Sequence, residues 1–188
     1  FSGVSFAYPG HENKPVLKNV SFEIKPLEVV AIVGPTGSGK STISRLITRL
    51  YENYKGKITL DGELLESLSL RDLRSVIAVV SQDIQIFSQS VEFNISLGNP
   101  NISREESIAA AKAVQAHDFI MSLENQYDTV LEQKGRQLST GQAQLITFAR
   151  ALASNRPIVL LDEATASVDS LSEKKIQTAI NLILKKKT

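Results

Sequence analysis

The chain has no cysteine. Its absence excludes disulfide staples, thiolate nucleophiles and cysteine-ligated metals. Charge of one sign is lacking too: 21 Lys and Arg against 20 Asp and Glu leave a net charge of +1. Sequence-independent affinity for a nucleic-acid backbone needs a concentrated basic face, so this balance gives no ground for expecting DNA or RNA as the ligand. No apolar run approaches the roughly 20 residues that cross a bilayer, so any membrane role must be borrowed from a partner. No signal-like N-terminus is present, in agreement with an intracellular domain, and Phe1 is not an initiator Met, so the numbering is expected to begin inside a longer chain. What is present suffices for one sizeable core, or one core with a smaller lobe: 188 residues, 42% of them apolar.

Val4, Phe6 and Tyr8, then Val20, Phe22 and Ile24, put large apolar groups on alternate positions, the pattern of half-buried strands joined through the turn chemistry of Pro9-Gly10. Val29 to Val33 is continuously apolar, as expected of a strand covered on both faces, and runs into a glycine-rich turn. Ile43, Leu46, Ile47 and Leu50 then share one helix face. Lys57 to Leu60 before Asp61-Gly62 reads as a strand entering a tight turn, and Val76 to Val80 as a second buried strand. From about Ser88 to Ser154 the pattern is helical, with Ser103 and Glu106 spaced as a capping box. Ile158 to Leu161 returns to a buried strand, and Ser172 to Lys187 is amphipathic about Ile176, Ile180 and Leu184. The Lys185 to Lys187 run reads as a solvated helix end. The fold class expected is α/β: an antiparallel β part over 1–30, a nucleotide-binding core over 31–82 and 155–188, and a helical part over 83–154.

Gly34-Pro35-Thr36-Gly37-Ser38-Gly39-Lys40-Ser41 fits G-x-x-x-x-G-K-[ST] between a strand pattern and a helix pattern. Glycines there turn successive N–H groups toward phosphates, and the helix N-terminus adds its positive end. Lys40 would reach the β and γ phosphates and Ser41 would hold magnesium, with Thr42 following in the first helical turn. Ile158 to Leu161 delivers Asp162 and Glu163 to a strand end, where open α/β sheets place ligands. Asp162 is expected to orient magnesium through water, and Glu163 to polarise the water that attacks the γ phosphate. Leu138-Ser139-Thr140-Gly141-Gln142 precedes a helical pattern, so Ser139 is placed to cap a helix whose N-terminus attracts an anion.

A phosphate loop, this pentapeptide and an Asp-Glu strand about twenty residues later together resemble the ATP-binding cassette (ABC) family, whose signature is Leu-Ser-Gly-Gly-Gln. The resemblance covers essentially the whole chain. It implies a phosphate-loop nucleoside-triphosphatase core, a mixed sheet flanked by helices, with ATP and Mg2+ as cofactors. Tyr8 matches the family's adenine-stacking aromatic, and Gln82 the glutamine that touches magnesium and senses the transmembrane partner. Asp169 matches a loop crossing the dimer interface, and Asn94-Ile-Ser-Leu-Gly98 resembles a segment typical of exporters. It further implies two such domains packed head to tail, with Ser139, Gly141 and Gln142 of one completing the phosphate-loop site of the other. The membrane segments, fused or separate, would place the domain on the cytoplasmic face of a membrane.

Three departures bear on this reading. Thr140 stands where the family usually has glycine, and a β-branched side chain excludes most conformations with positive φ, so the site completed by this signature is expected to be weakened. An asymmetric pair of domains follows from the same residue. The Gly-Glu-Arg-Gly stretch of exporters reads here Glu132-Gln133-Lys134-Gly135, with its acid displaced by one position. The switch histidine of the family lies on a strand beyond the last helix, and the sequence ends at Thr188 before it; a C-terminal part is expected to be missing. His11 and His117 read as surface or packing residues. A soluble DNA-repair or chromosome-maintenance ATPase would carry a long coiled coil between the motifs, and no sustained heptads occur between Ser41 and Leu138. A small-molecule phosphotransferase would leave the signature and Asp169 as coincidences.

Overall fold

Side chains alternate at the start of the chain, where Val4 and Phe6 are buried and their neighbours face outward. In the computed structural model this strand, β1 (Ser2–Phe6), lies between β2 (Leu17–Val20) and β3 (Tyr54–Lys57) in an antiparallel sheet. Val4 faces Val20, Phe6 faces Leu17, and Ser2 faces Lys57. The structure describes residues 1–132, 135–162, 170–185 and 187–188. They divide into two units, Phe1–Ile77 with Thr188, and Ala78–Lys187.

In the first unit, α1 (Lys40–Ile47) buries Thr42, Ile43 and Leu46. The hairpin β4 (Thr59–Leu60) and β5 (Glu63–Leu64) turns at Asp61 and Gly62, both at positive φ, as a tight two-residue turn requires. The short helix α2 (Leu70–Val76) is capped by Ser69, whose hydroxyl accepts the Asp72 amide. Three expectations are corrected. The second strand stops at Val20, and Phe22 instead stacks on Phe1 with ring centroids 4.5 Å apart. Leu50 is not on the helix face: α1 ends at Ile47, Arg49 takes a left-handed φ of 53°, and Leu50 is 64% exposed. Val29 to Val33 is neither a strand nor buried, with Val33 87% exposed. A turn from Lys25 to Glu28, with Leu27 at φ 63°, redirects the chain just before this run, and both edges of β1 are already occupied.

In the second unit, β6 (Ile77–Val80) and β7 (Ile158–Leu161) are hydrogen-bonded neighbours. Val79 is half exposed, so β6 is not buried on both faces as expected. Helices α3 (Val91–Ser96), α4 (Arg104–Ala113), α5 (His117–Met121), α6 (Thr140–Ala153) and α7 (Ser170–Leu184) accompany them. The capping box expected at Ser103 and Glu106 opens α4. Helix α6 is apolar almost all round and packs on α3, α4 and α7, so it is the axis of this unit. Helix α7 buries Ile176, Ala179 and Ile183, with Ile180 beside them; Leu184 is only half-buried, because the seam runs through Ile183. Lys185 is exposed, and Lys187 donates to Asn155 Oδ1 at 2.7 Å.

Candidate nucleotide site

The glycine-rich loop lies in the first unit. Gly34, Pro35, Thr36, Gly37 and Ser38 are exposed, and Gly39 is buried. The Ser38 amide bonds the Pro35 carbonyl, closing a turn, and Gly37 and Gly39 follow with φ of 83° and 96°, values that side-chain-bearing residues rarely adopt. Gly39 is the N-cap of α1, so no side chain caps that helix, and its first turn carries no acid. Lys40 folds back over the loop and donates to the carbonyls of Gly34 and Pro35 at 3.0 and 3.1 Å. An uncapped helix start, a lysine ammonium beside it and no carboxylate in the first turn make a donor set suited to phosphate. Ser41, the second residue of α1, brings a hydroxyl of the kind that ligates Mg2+. Among the described residues no group of three or more His, Asp or Glu could hold a metal by itself. A single hydroxyl such as that of Ser41 suits an ion bound mainly by phosphate oxygens and water, as Mg2+ is.

Tyr8 follows β1, and its hydroxyl lies 2.9 Å from Thr42 Oγ1 and 2.9 Å from Arg45 Nη1. Phe6 and Tyr51 meet its ring at 80° and 83°. The tyrosine is therefore fixed to α1, three residues apart on one face of which Thr42 and Arg45 both reach it. Sequence reasoning missed Arg45, whose only signal is that spacing.

The second unit holds the other residues. Asp162 follows β7, and its amide donates to the Val80 carbonyl at 3.0 Å, so the ends of β7 and β6 lie side by side. Gln82, exposed, is two residues beyond the end of β6. Glu163 and Asp169 lie outside the described residues, as do Gln133 and Lys134.

Ser139 caps α6 in a complete capping box: its hydroxyl accepts the Gln142 amide at 3.2 Å, and Gln142 Oε1 accepts the Ser139 amide at 2.9 Å. Both side-chain oxygens are turned to the helix's own N–H groups. The hydroxyl hydrogen and the carboxamide NH2 remain as the pair's donors for an approaching acceptor. Thr140 is the first residue of α6, exposed and helical, and is not among the residues at positive φ. The conformational objection to threonine therefore does not arise here. Gly141 is buried against the unit.

The loop following Gln82 is bound tightly. Asn94 on α3 accepts the Phe87 amide at 2.8 Å and donates to the carbonyls of Phe87, Gln89 and Ser90 at 2.9, 3.3 and 3.0 Å. Arg150 on α6 donates from Nε to the Asn94 carbonyl at 2.8 Å and from Nη2 to the Gln85 carbonyl at 3.0 Å, and lies over the Phe87 ring. Desolvation lowers its pKa to about 10, which leaves it cationic at neutral pH. The two histidines behave as expected: His117 Nδ1 pairs with the Tyr127 hydroxyl at 2.9 Å, and the His11 amide closes a turn on Tyr8.

The family model described as ABC transporter matches residues 17–166. The chain is 44% identical to the ATP-dependent lipid A-core flippase of Chromobacterium violaceum over all 188 residues, which span 32% of that protein. It is 44% identical to the Beta-(1-->2)glucan export ATP-binding/permease protein NdvA of Brucella suis over 96% of the chain and 30% of that relative. A solved structure, titled as a bacterial Atm1-family ABC exporter with ATP bound, matches all of the chain and 32% of its own with a TM-score of 0.90 and 38% identity. The chain thus spans about a third of the length of the relatives it matches.

Proposed function

Because the chain belongs to the ABC transporter family, we propose that it is the ATP-hydrolysing domain that powers an exporter. The observation that carries the reading is the start of α1: uncapped, free of acids in its first turn, preceded by two left-handed glycines and overlain by the Lys40 ammonium. In this reading the backbone of Gly34 to Lys40 with Ser41 and Thr42 binds the phosphates, Lys40 stabilises the charge that grows on the γ phosphate, and Tyr8 supports the adenine. Ser41, Gln82 and Asp162 would hold Mg2+, Asp162 through water, and the ion would supply charge neutralisation at the phosphates. Glu163 takes a proton from the attacking water, whose oxygen bonds to the γ phosphorus as the bond to the β-phosphate oxygen breaks. The outward donors of Ser139 and Gln142, with Gly141, engage the γ phosphate held by a second ABC domain, identical or not, packed head to tail.

Closure of that pair around ATP and its reopening after hydrolysis move the attached transmembrane domain, so the ABC domain works at the cytoplasmic face of a membrane. Among the described residues no helix is long and apolar enough to cross a membrane, and the relatives named above are a flippase, an export permease and an exporter. The relatives favour transport over the DNA-maintenance reading. The test is the solution mass of the protein carrying Glu163→Gln, with and without Mg-ATP. Dimerisation that appears only with Mg-ATP supports the sandwich, and ATP binding without any change of mass refutes pairing between identical domains.

A further inference from the structure

One half-buried cation in the second unit has no part in the chemistry above. Arg150 stands more than two turns along α6 from Ser139, and all its named acceptors belong to the segment Gln85–Asn94. That segment is the continuation of the Gln82 loop, and it is held from further sides. Asn94 replaces a peptide neighbour for Phe87, Gln89 and Ser90. Leu131 donates to Gln89, and Val91 to Thr129, so the strand-like stretch leading toward the signature is stitched to the same loop. Ile86 packs where a side chain on Gly135 would lie, at 3.2 Å from its position.

We propose that Arg150 is a positioning residue that fastens the Gln82 loop to the signature helix, so that the metal-facing glutamine and Ser139 move as one piece. This rests on the reading of Gln82 and Ser139 given above. The geometry explains why a guanidinium is needed. Two acceptors at the two ends of that segment, the carbonyls of Asn94 and Gln85, are reached from different nitrogens of one planar group whose face also covers the Phe87 ring. A lysine has one nitrogen and no plane, so it keeps the charge and loses the fork. Every residue of the phosphate loop belongs to the other unit, so the clamp contains none of them.

The test uses the full-length protein with Arg150→Lys, Gln82→Ala and the double variant. Misplacing a group in an active site by about 1 Å costs up to about a hundredfold in rate. Arg150→Lys should accordingly lower kcat by about tenfold, raise the Mg2+ concentration for half-maximal turnover severalfold, and leave ATP affinity unchanged. In the Gln82→Ala background the same substitution should change kcat by less than about twofold, because the residue it positions is gone. Amide hydrogen exchange should show faster exchange at Phe87, whose amide bonds Asn94, with α6 unaltered. Equal loss of kcat in both backgrounds, or unchanged exchange at Phe87, overturns the proposal. Should Gln82→Ala by itself leave turnover intact, the assignment of Gln82 fails, and exchange at Phe87 still decides whether Arg150 holds the loop. If Arg150→Lys does not fold, Asn94→Asp, which replaces the NH2 that makes three of these contacts with an oxygen and keeps the arginine, is measured the same way.

Discussion

Alanine at Gly37 and at Gly39 should separate the two costs that keep the loop glycine-rich. Both positions have left-handed backbones, φ 83° and 96°. That conformation costs a residue with a side chain roughly 1–2 kcal/mol. At Gly37 no heavy atom lies within 4 Å of an added Cβ, so the conformational cost is the whole of it. At Gly39 the Cβ would stand 2.8 Å from Leu17 Cδ2 and 3.0 Å from Val16 Cγ1, in a buried place. Overpacking of that kind adds about 1–3 kcal/mol. Gly39→Ala should therefore lose about 2–5 kcal/mol and Gly37→Ala about 1–2. In a protein of this size each kcal/mol lowers Tm by about 2–4 °C, so calorimetry should place Gly39→Ala at least about 2 °C below Gly37→Ala. A cycle with Leu17→Ala identifies the contact, since the Gly39→Ala penalty should shrink when the leucine side chain is removed. Equal melting of the two glycine variants, or a lower Tm for Gly37→Ala, would refute the steric argument.

Ser139→Ala should cost about 1 kcal/mol by urea unfolding and lower turnover, whereas Ser139→Asp should keep the cap and the stability yet still lower turnover. Wild-type turnover in the aspartate variant would rule out the hydroxyl as a phosphate donor. Thr140→Gly should leave turnover within about twofold and cost no more than about 0.5 kcal/mol, because the backbone there is already helical; a severalfold gain would show that the branched side chain obstructs the phosphate. Arg104 donates to both oxygens of Asp128 at 2.8 Å and holds that carboxyl below the usual range. A depressed folded-state pKa contributes stability that is present above the unfolded value and lost as pH falls through the folded one. The stability gap to Arg104→Gln should thus close on acidification through and below a pH of about 4, and a gap independent of pH in denaturant titrations would contradict it.

Features set by neighbours in sequence were the legible ones. Ser103 with Glu106, Ser139 with Gln142, and Asp61 with Gly62 each act across at most three residues, and each forms the cap or turn that its residue types suggest. The phosphate loop is legible for the same reason, since its function is written in one contiguous stretch. Val29 to Val33 misleads because cover on two faces depends on distant layers, which an apolar run does not specify. Helix α1 stops short of Leu50 where Arg49, left-handed, reaches the Leu68 carbonyl on another segment. Arg150 looks like any helix arginine until its acceptors, 56 and 65 residues earlier in sequence, are known.

The position of β1 also orders events during synthesis. Its partner β3 ends at Lys57, opposite Ser2, so the sheet cannot be completed before the ribosome has made that residue. At about 5–20 residues per second this is roughly 3–11 s after translation of Ser2. The phosphate loop is translated inside the interval, before the strand that completes the sheet of its unit. A nascent chain whose exposed part stops short of Tyr54 therefore displays every letter of the phosphate-loop motif on an unfinished sheet, and its ability to retain ATP on the ribosome should begin with the emergence of β3 rather than with the motif.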